Sequence, residues 1–147
     1  MIKNILVATD GSPAANRAVD LAADLAAKYE CPLSILNVVR DMQLPPHLVR
    51  MAKVENLSLR DGDVLKYLAE KVLTKTAERA KKKGAKLVRT TLGQGDPATA
   101  IIKQAKRQNA DVIIMGTRGL GKLKEAFLGS VSRKVCNLSQ INCLTVR

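Results

Sequence analysis

Short apolar runs, often β-branched, alternate along this chain with longer stretches in which apolar positions recur every three or four residues. The first run, Lys3-Asn4-Ile5-Leu6-Val7-Ala8-Thr9, closes on Asp10-Gly11-Ser12-Pro13, a cluster suited to a turn and a helix start. From Pro13 to Tyr29 the positions Ala15, Ala18, Val19, Ala22, Leu25, Ala26 and Tyr29 fall on one helical face. Alanine dominates that face, so the helix can lie close on a sheet. After Pro32, Leu33 to Val39 reads as a second strand, and a helical period resumes through Val64, Leu65, Leu68, Val72, Leu73, Thr76 and Ala80. Gly84 ends this helix behind Lys81-Lys82-Lys83, whose charges complement the negative end of the helix dipole.

A third strand is expected over Lys86 to Leu92, stopping at Gly93-Gln94-Gly95-Asp96-Pro97. There Asp96 can cap and Pro97 can begin a helix carrying Ala98, Ile101, Ile102 and Ala105. Asp111 to Gly116 is the fourth strand. A last helix begins near Ser130 with Val131, Val135 and Leu138, and Asn142 to Val146 forms the fifth strand. Strands alternating with helices imply right-handed crossovers and an open parallel sheet covered on both faces, a doubly wound α/β fold. Continuously apolar strands fit that double-sided burial. The third, with Lys86 and Arg89, suits a sheet edge. The one long connection, 41–60, holds Pro45-Pro46-His47. Leu48 to Val54 could form a short helix, and Ser58 with Asp61 resembles a capping box. This connection reads as a lid or as a variable surface excursion.

A chain of 147 residues with 46% hydrophobic content is expected to form one domain with one core, spanning 1–147. It has no apolar run near the roughly 20 residues of a membrane-spanning helix, and Met1-Ile2-Lys3-Asn4 does not open a signal peptide, so a cytoplasmic location is expected. Cys31, Cys136 and Cys143 form no Cys-x-x-Cys pair and read as small buried hydrophobes. With His47 as the one histidine, a metal site built from protein ligands alone is not expected. The net charge of +12 favours anionic partners without choosing among them. One Phe, two Tyr and no Trp leave little platform for stacking single-stranded nucleic acid, which ranks as an unlikely partner.

Glycine concentrates after the fourth strand, in Gly116-Thr117-Arg118-Gly119-Leu120-Gly121-Lys122-Leu123 and then Gly129-Ser130-Val131-Ser132. Glycines let main-chain amides approach an anion, and a helix start offers unpaired N–H groups with positive partial charge. Gly116, Gly121 and Lys122 meet part of the P-loop pattern, but Leu123 stands where the Mg²⁺-binding hydroxyl belongs. The dinucleotide fingerprint fails for want of its third glycine. The pattern Gly-x2-Gly-x9-Gly-[Ser/Thr] is met in full by Gly116, Gly119, Gly129 and Ser130. Each residue also has a plainer reading. Asp10 could be a turn residue or cap, Ser130 an N-cap, and Arg118, Lys122 and Lys124 solvated loop charges.

That glycine pattern, together with Asp10 after the first strand, resembles the universal stress protein family in its ATP-binding branch, and the likeness runs over essentially the whole chain. The resemblance implies a five-stranded sheet of order 3-2-1-4-5, with ligand at the switch point between strands one and four. It implies that Ala8, Thr9 and Asp10 lie along the nucleoside and that Val38 offers main-chain groups to adenine. Met115, Gly116, Arg118 and Gly119 would line the ribose and phosphates, and Gly129, Ser130, Val131 and Ser132 would receive the phosphates. ATP with Mg²⁺ is the implied cofactor. Asp10 meets either ribose hydroxyls or, through water, the Mg²⁺. A homodimer through the last strand is implied as well.

No Ser-His-Asp set and no paired catalytic carboxylates can be assembled, so dedicated catalysis is not expected, beyond slow ATP hydrolysis at most. The expected function is an ATP-binding regulatory or stress-response module. The alternatives are a nucleotide-free dimeric stress protein acting by contact and, ranked lower, a nonspecific nucleic-acid binder.

Overall fold

In the computed structural model, which describes residues 1–40, 61–118 and 128–147, strands and helices alternate as the hydrophobic pattern implies. They run β1 (Ile5–Ala8), α1 (Pro13–Tyr29), β2 (Leu33–Val39), α2 (Asp61–Lys82), β3 (Val88–Gln94), α3 (Pro97–Arg107), β4 (Val112–Gly116), α4 (Ser130–Leu138) and β5 (Asn142–Val146). The five strands form one all-parallel sheet in the order β3-β2-β1-β4-β5. In the central register Val7 lies between Ile35 and Ile114.

Strand alternation sends successive side chains to opposite faces, and both faces are covered. Ile5, Val7, Leu33, Ile35 and Ile114 pack with Ala18, Val19 and Ala22 of α1 and with Leu73 and Ala80 of α2. Leu6, Leu36, Ile113 and Met115 pack with Ala98, Ile101 and Ala105 of α3 and Val135 of α4. Burial of three successive residues, Ile5, Leu6 and Val7, makes β1 the centre of both cores. Each such aliphatic side chain contributes roughly 1.5–3 kcal/mol.

Among the described residues, three of the four helix ends follow one recipe, and α4 instead ends on extended Ser139. Leaving α1, the Cys31 N–H bonds Ala26 O at 3.1 Å, with Glu30 at φ 50°. Leaving α2, the Ala85 N–H bonds Ala80 O at 3.2 Å, with Gly84 at φ 100°. Leaving α3, the Ala110 N–H bonds Ala105 O at 2.9 Å, with Asn109 at φ 51°. In each, a left-handed residue turns the chain back under the helix and satisfies its last carbonyls. Only α2 uses glycine there.

The structure adjusts several expectations. Strand β3 begins at Val88 and runs on through Gly93 to Gln94, because β2 supplies partners up to Val39. On α1, Ala14 and Ala23 join the buried face, while Leu25 is half-buried and Tyr29 is exposed in the last turn. Leu68 and Leu138 are exposed, and of the three cysteines only Cys31 is buried. Connection 41–60, including His47, Ser58 and the Leu48–Val54 stretch, lies outside the described residues, as does Gly119. Among the described residues, no helix is long and apolar enough to cross a membrane.

Candidate functional site

Strands β1 and β4 are neighbours, but the chain leaves them in opposite directions: α1 packs on one face of the sheet, α4 on the other. The connections that follow their carboxyl ends therefore part to opposite faces of the sheet, the arrangement that places a ligand crevice in such sheets.

On the β1 side, Ala8 sits between Leu36 and Met115. The Thr9 N–H continues the ladder to Leu36 O at 2.9 Å, and the Thr9 hydroxyl accepts from the Gly11 N–H at 3.2 Å. Asp10 Oδ1 accepts from the Ser12 N–H at 2.9 Å, the Asx turn that Asp-Gly-Ser sequences favour. Ser12 is buried. Its Oγ accepts from the Ala15 N–H at 3.2 Å, capping α1, and donates to Arg118 O at 3.4 Å across the crevice.

On the β4 side, Gly116 lies against the start of α1, where an added Cβ would stand 2.9 Å from Ala14 C and Ala15 N. Close packing therefore requires this glycine, whatever else it serves. Thr117 and Arg118 follow, and the main chain returns at Gly129, whose N–H bonds Thr117 O at 2.6 Å. Gly129 is the N-cap of α4, and no side chain caps that helix, whereas Ser12 caps α1 and Asp96 caps α3. The first intrahelical bond is Arg133 N–H to Gly129 O at 3.0 Å. The amides of Ser130, Val131 and Ser132 thus head a helix with nothing from a cap residue to receive them. Ser130 and Arg118 are exposed, and Val131 is half-buried. Ser132 is buried and donates inward, to Thr117 O and Gly129 O, both at 3.1 Å.

Val38 borders the same opening. Pro32 and Leu36 accept from β1, while Leu33 and Val39 bond β3, so even-numbered residues of β2 turn their main-chain groups toward β1. Val38 comes two residues after Leu36, and there β1 has already ended. Beside it lies a cleft of about 510 Å³ lined by Arg40, Gly95, Asp96, Pro97, Ser130 and Lys134, among others. Asp96 caps α3 through the Thr99 N–H at 2.9 Å and accepts the Thr99 hydroxyl at 2.6 Å and Lys134 Nζ at 3.1 Å. Thr99 first and Lys134 second hold its carboxyl down at a pKa of about 2. The ion pair ties the start of α3 to α4.

The structure thus brings Ala8, Thr9, Asp10, Val38, Met115, Gly116, Arg118 and Gly129–Ser132 to one end of the sheet. Sequence reasoning missed Thr117, an unassigned position between Gly116 and Gly119, and the neighbourhood of Arg40 and Lys134. No local signal marks them, since each arrives from a different element. Among the described residues no group of three or more His, Cys, Asp or Glu could hold a metal. What the crevice offers is amides and cations, the means to hold an anion.

The model of the universal stress protein family matches residues 1–147. The universal stress protein YxiE of Bacillus subtilis is 34% identical, with all of both chains covered. Among solved structures, UspA of Lactobacillus plantarum superposes with a TM-score of 0.80 at 25% identity, covering 99% of this chain and 98% of that one. A universal stress protein crystallised in complex with cAMP superposes with a TM-score of 0.74 at 28% identity, covering 99% and 97%. The glycine pattern, the strand order and the whole-chain match agree: this chain belongs to the universal stress protein family.

Proposed function

We propose that this protein is an adenine-nucleotide-binding regulatory module that takes ATP, with Mg²⁺ carried on its phosphates, in the crevice between β1 and β4. The observation that carries the reading is the convergence of two separate turns, Asp10 after β1 and Gly116 at the end of β4, on the uncapped start of α4. The cAMP complex of a relative supports an adenine nucleotide as the ligand class. In this reading Val38 meets the base and Ala8, Thr9 and Asp10 border the nucleoside. Met115, Gly116, Arg118 and Gly119 follow the ribose and phosphates, and the amides of Gly129–Ser132 receive the phosphates. The donor set suits a polyphosphate, since amides and the Arg118 guanidinium offer only hydrogen-bond donors to an acceptor-only anion. Mg²⁺ when bound would offset phosphate charge, and Asp10, which follows β1, would meet either it through water or the ribose hydroxyls.

The module is cytoplasmic in this reading and works as a homodimer paired along β5. That strand lies at the sheet edge with Leu144 39% exposed, and an open apolar edge invites pairing with a second copy. Mass spectrometry of the small molecules that accompany the purified protein, followed by calorimetry with ATP, tests the ligand. We expect an adenine nucleotide to co-purify. We expect Gly129→Val to lose ATP binding with the fold kept, because its Cβ begins 3.3 Å from Thr117 O and its methyls crowd the amides. Undiminished affinity in that variant would put the phosphates elsewhere.

A further inference from the structure

We infer that Ser132 is a positioning residue of the anion site rather than a phosphate ligand: its buried hydroxyl locks the two glycine-bearing segments together. This rests on the nucleotide reading above and narrows it: the Ser132 hydroxyl and the Gly129 amide both leave the set of phosphate donors. A phosphate oxygen can only accept, so a serine side chain serves it solely through its single O–H. The Ser132 O–H already lies 3.1 Å from Thr117 O and 3.1 Å from Gly129 O, and the residue is 4% exposed. To reach a ligand it would have to give up both carbonyls, exchanging two contacts already made in a buried setting for one.

Thr117 is where the contacts meet. Its carbonyl takes the Gly129 N–H at 2.6 Å as well as the Ser132 hydroxyl, and its N–H bonds Val146 O of β5 at 2.7 Å. One residue onward, Arg118 O accepts the hydroxyl of Ser12, the α1 cap. The end of β4 is therefore tied to α1, to α4 and to the edge strand. Through these ties the Gly129 amide is taken up before any ligand arrives, while the amides of Ser130 and Val131 head the helix with no capping side chain. Ser130, exposed at the first helical position and with no hydroxyl partner among the described residues, is the serine available to a phosphate.

Residue-resolved amide hydrogen exchange with calorimetry tests this. In the wild-type chain without nucleotide, the Gly129 amide should exchange slowly and those of Ser130 and Val131 quickly. ATP should slow the latter two and leave Gly129 as it was. Ser132→Ala should speed Gly129 exchange and weaken ATP about tenfold, the effect of one buried hydrogen-bond donor lost, with adenosine affinity unchanged. Ser132→Thr should restore both. Fast Gly129 exchange in the free wild-type chain overturns the inference without any variant needing to fold. So does a Ser132→Ala variant that loses ATP while Gly129 exchange stays slow, since Ser132 would then touch the ligand directly. Faster exchange with undiminished ATP affinity overturns it too. A wild-type chain that binds no ATP is a different result: it removes the nucleotide reading itself.

Discussion

Gly116→Ala isolates the close approach on which the crevice is built. The glycine has an ordinary φ, so a methyl group there costs nothing in backbone strain and its effect is entirely one of space. The new Cβ would meet Ala14 C and Ala15 N at 2.9 Å and Ala14 Cβ at 3.0 Å, all well inside the 3.4 Å at which ordinary contact begins. Two of those atoms are main chain in the first turn of α1 and cannot rotate away, so the helix start must move. Overpacking of this kind costs roughly 1–3 kcal/mol, and the reduced freedom of the unfolded chain returns about 0.4–1 kcal/mol. The net loss is about 1–2 kcal/mol, or some 2–8 °C in Tm for a domain of this size. Urea unfolding should show a lower midpoint at an unchanged m-value, with any co-purifying small molecule removed first because a ligand of the folded state would mask the loss. Two neighbours serve as controls. Gly93→Ala meets side chains alone, the ends of Leu36 and Val38 at 3.3 Å and Ala100 Cβ at an ordinary 3.7 Å, and should stay within about 1 kcal/mol of wild type. Gly95→Ala enters open space but at φ 101°, and should lose about 1 kcal/mol through backbone strain alone. A Gly116→Ala protein as stable as wild type, or no less stable than Gly93→Ala, would refute the steric reasoning.

Glu30→Gly should stabilise the protein by roughly 0.5–1 kcal/mol, since Glu30 holds a left-handed φ of 50° at the end of α1. Its 3.6 Å ion pair with Lys86 is exposed and worth little, and an unchanged thermal midpoint would count against this. Asp96→Asn should flatten the acid limb of the stability curve. The folded pKa of Asp96, about 2, lies below its ordinary 3.8, so its contribution is full above about pH 4 and is lost as pH falls toward 2. Asparagine keeps the cap but cannot titrate, and urea midpoints across that range read the difference. Some slope will remain, because Asp20 beside Arg79 and Asp111 beneath the Lys3 and Asn4 amides are also held low.

Much of the fold was legible in the chain because the two kinds of period belong to different physical units. Apolar runs such as Ile5–Ala8 and Val112–Gly116 are short and continuous, as strands covered on both faces must be. The alanines of α1 and the Asp96-Pro97 start of α3 also did what their chemistry requires. The errors lie where a neighbour sets the boundary. Gly93 and Gln94 read as a turn, yet β2 offers them partners and they pair. Tyr29 fits the α1 period, but it is the last residue of that helix and is exposed.

The site divides along the same line. The sequence by itself determined where the glycines and the start of the last helix fall, at Gly116–Arg118 and Gly129–Ser132, because those are local properties; that the cap position belongs to Gly129, which has no capping side chain, and not to Ser130 came from the fold. Tertiary structure alone decided that these segments face Asp10 and Val38, and which groups remain free to act there. Whether a serine hydroxyl at the start of α4 points to ligand or to protein depends on Thr117, fifteen residues earlier in the chain, whose carbonyl reaches Ser132 only after β4 is seated in the sheet. A hydrogen bond is spent once, and only the folded chain says where.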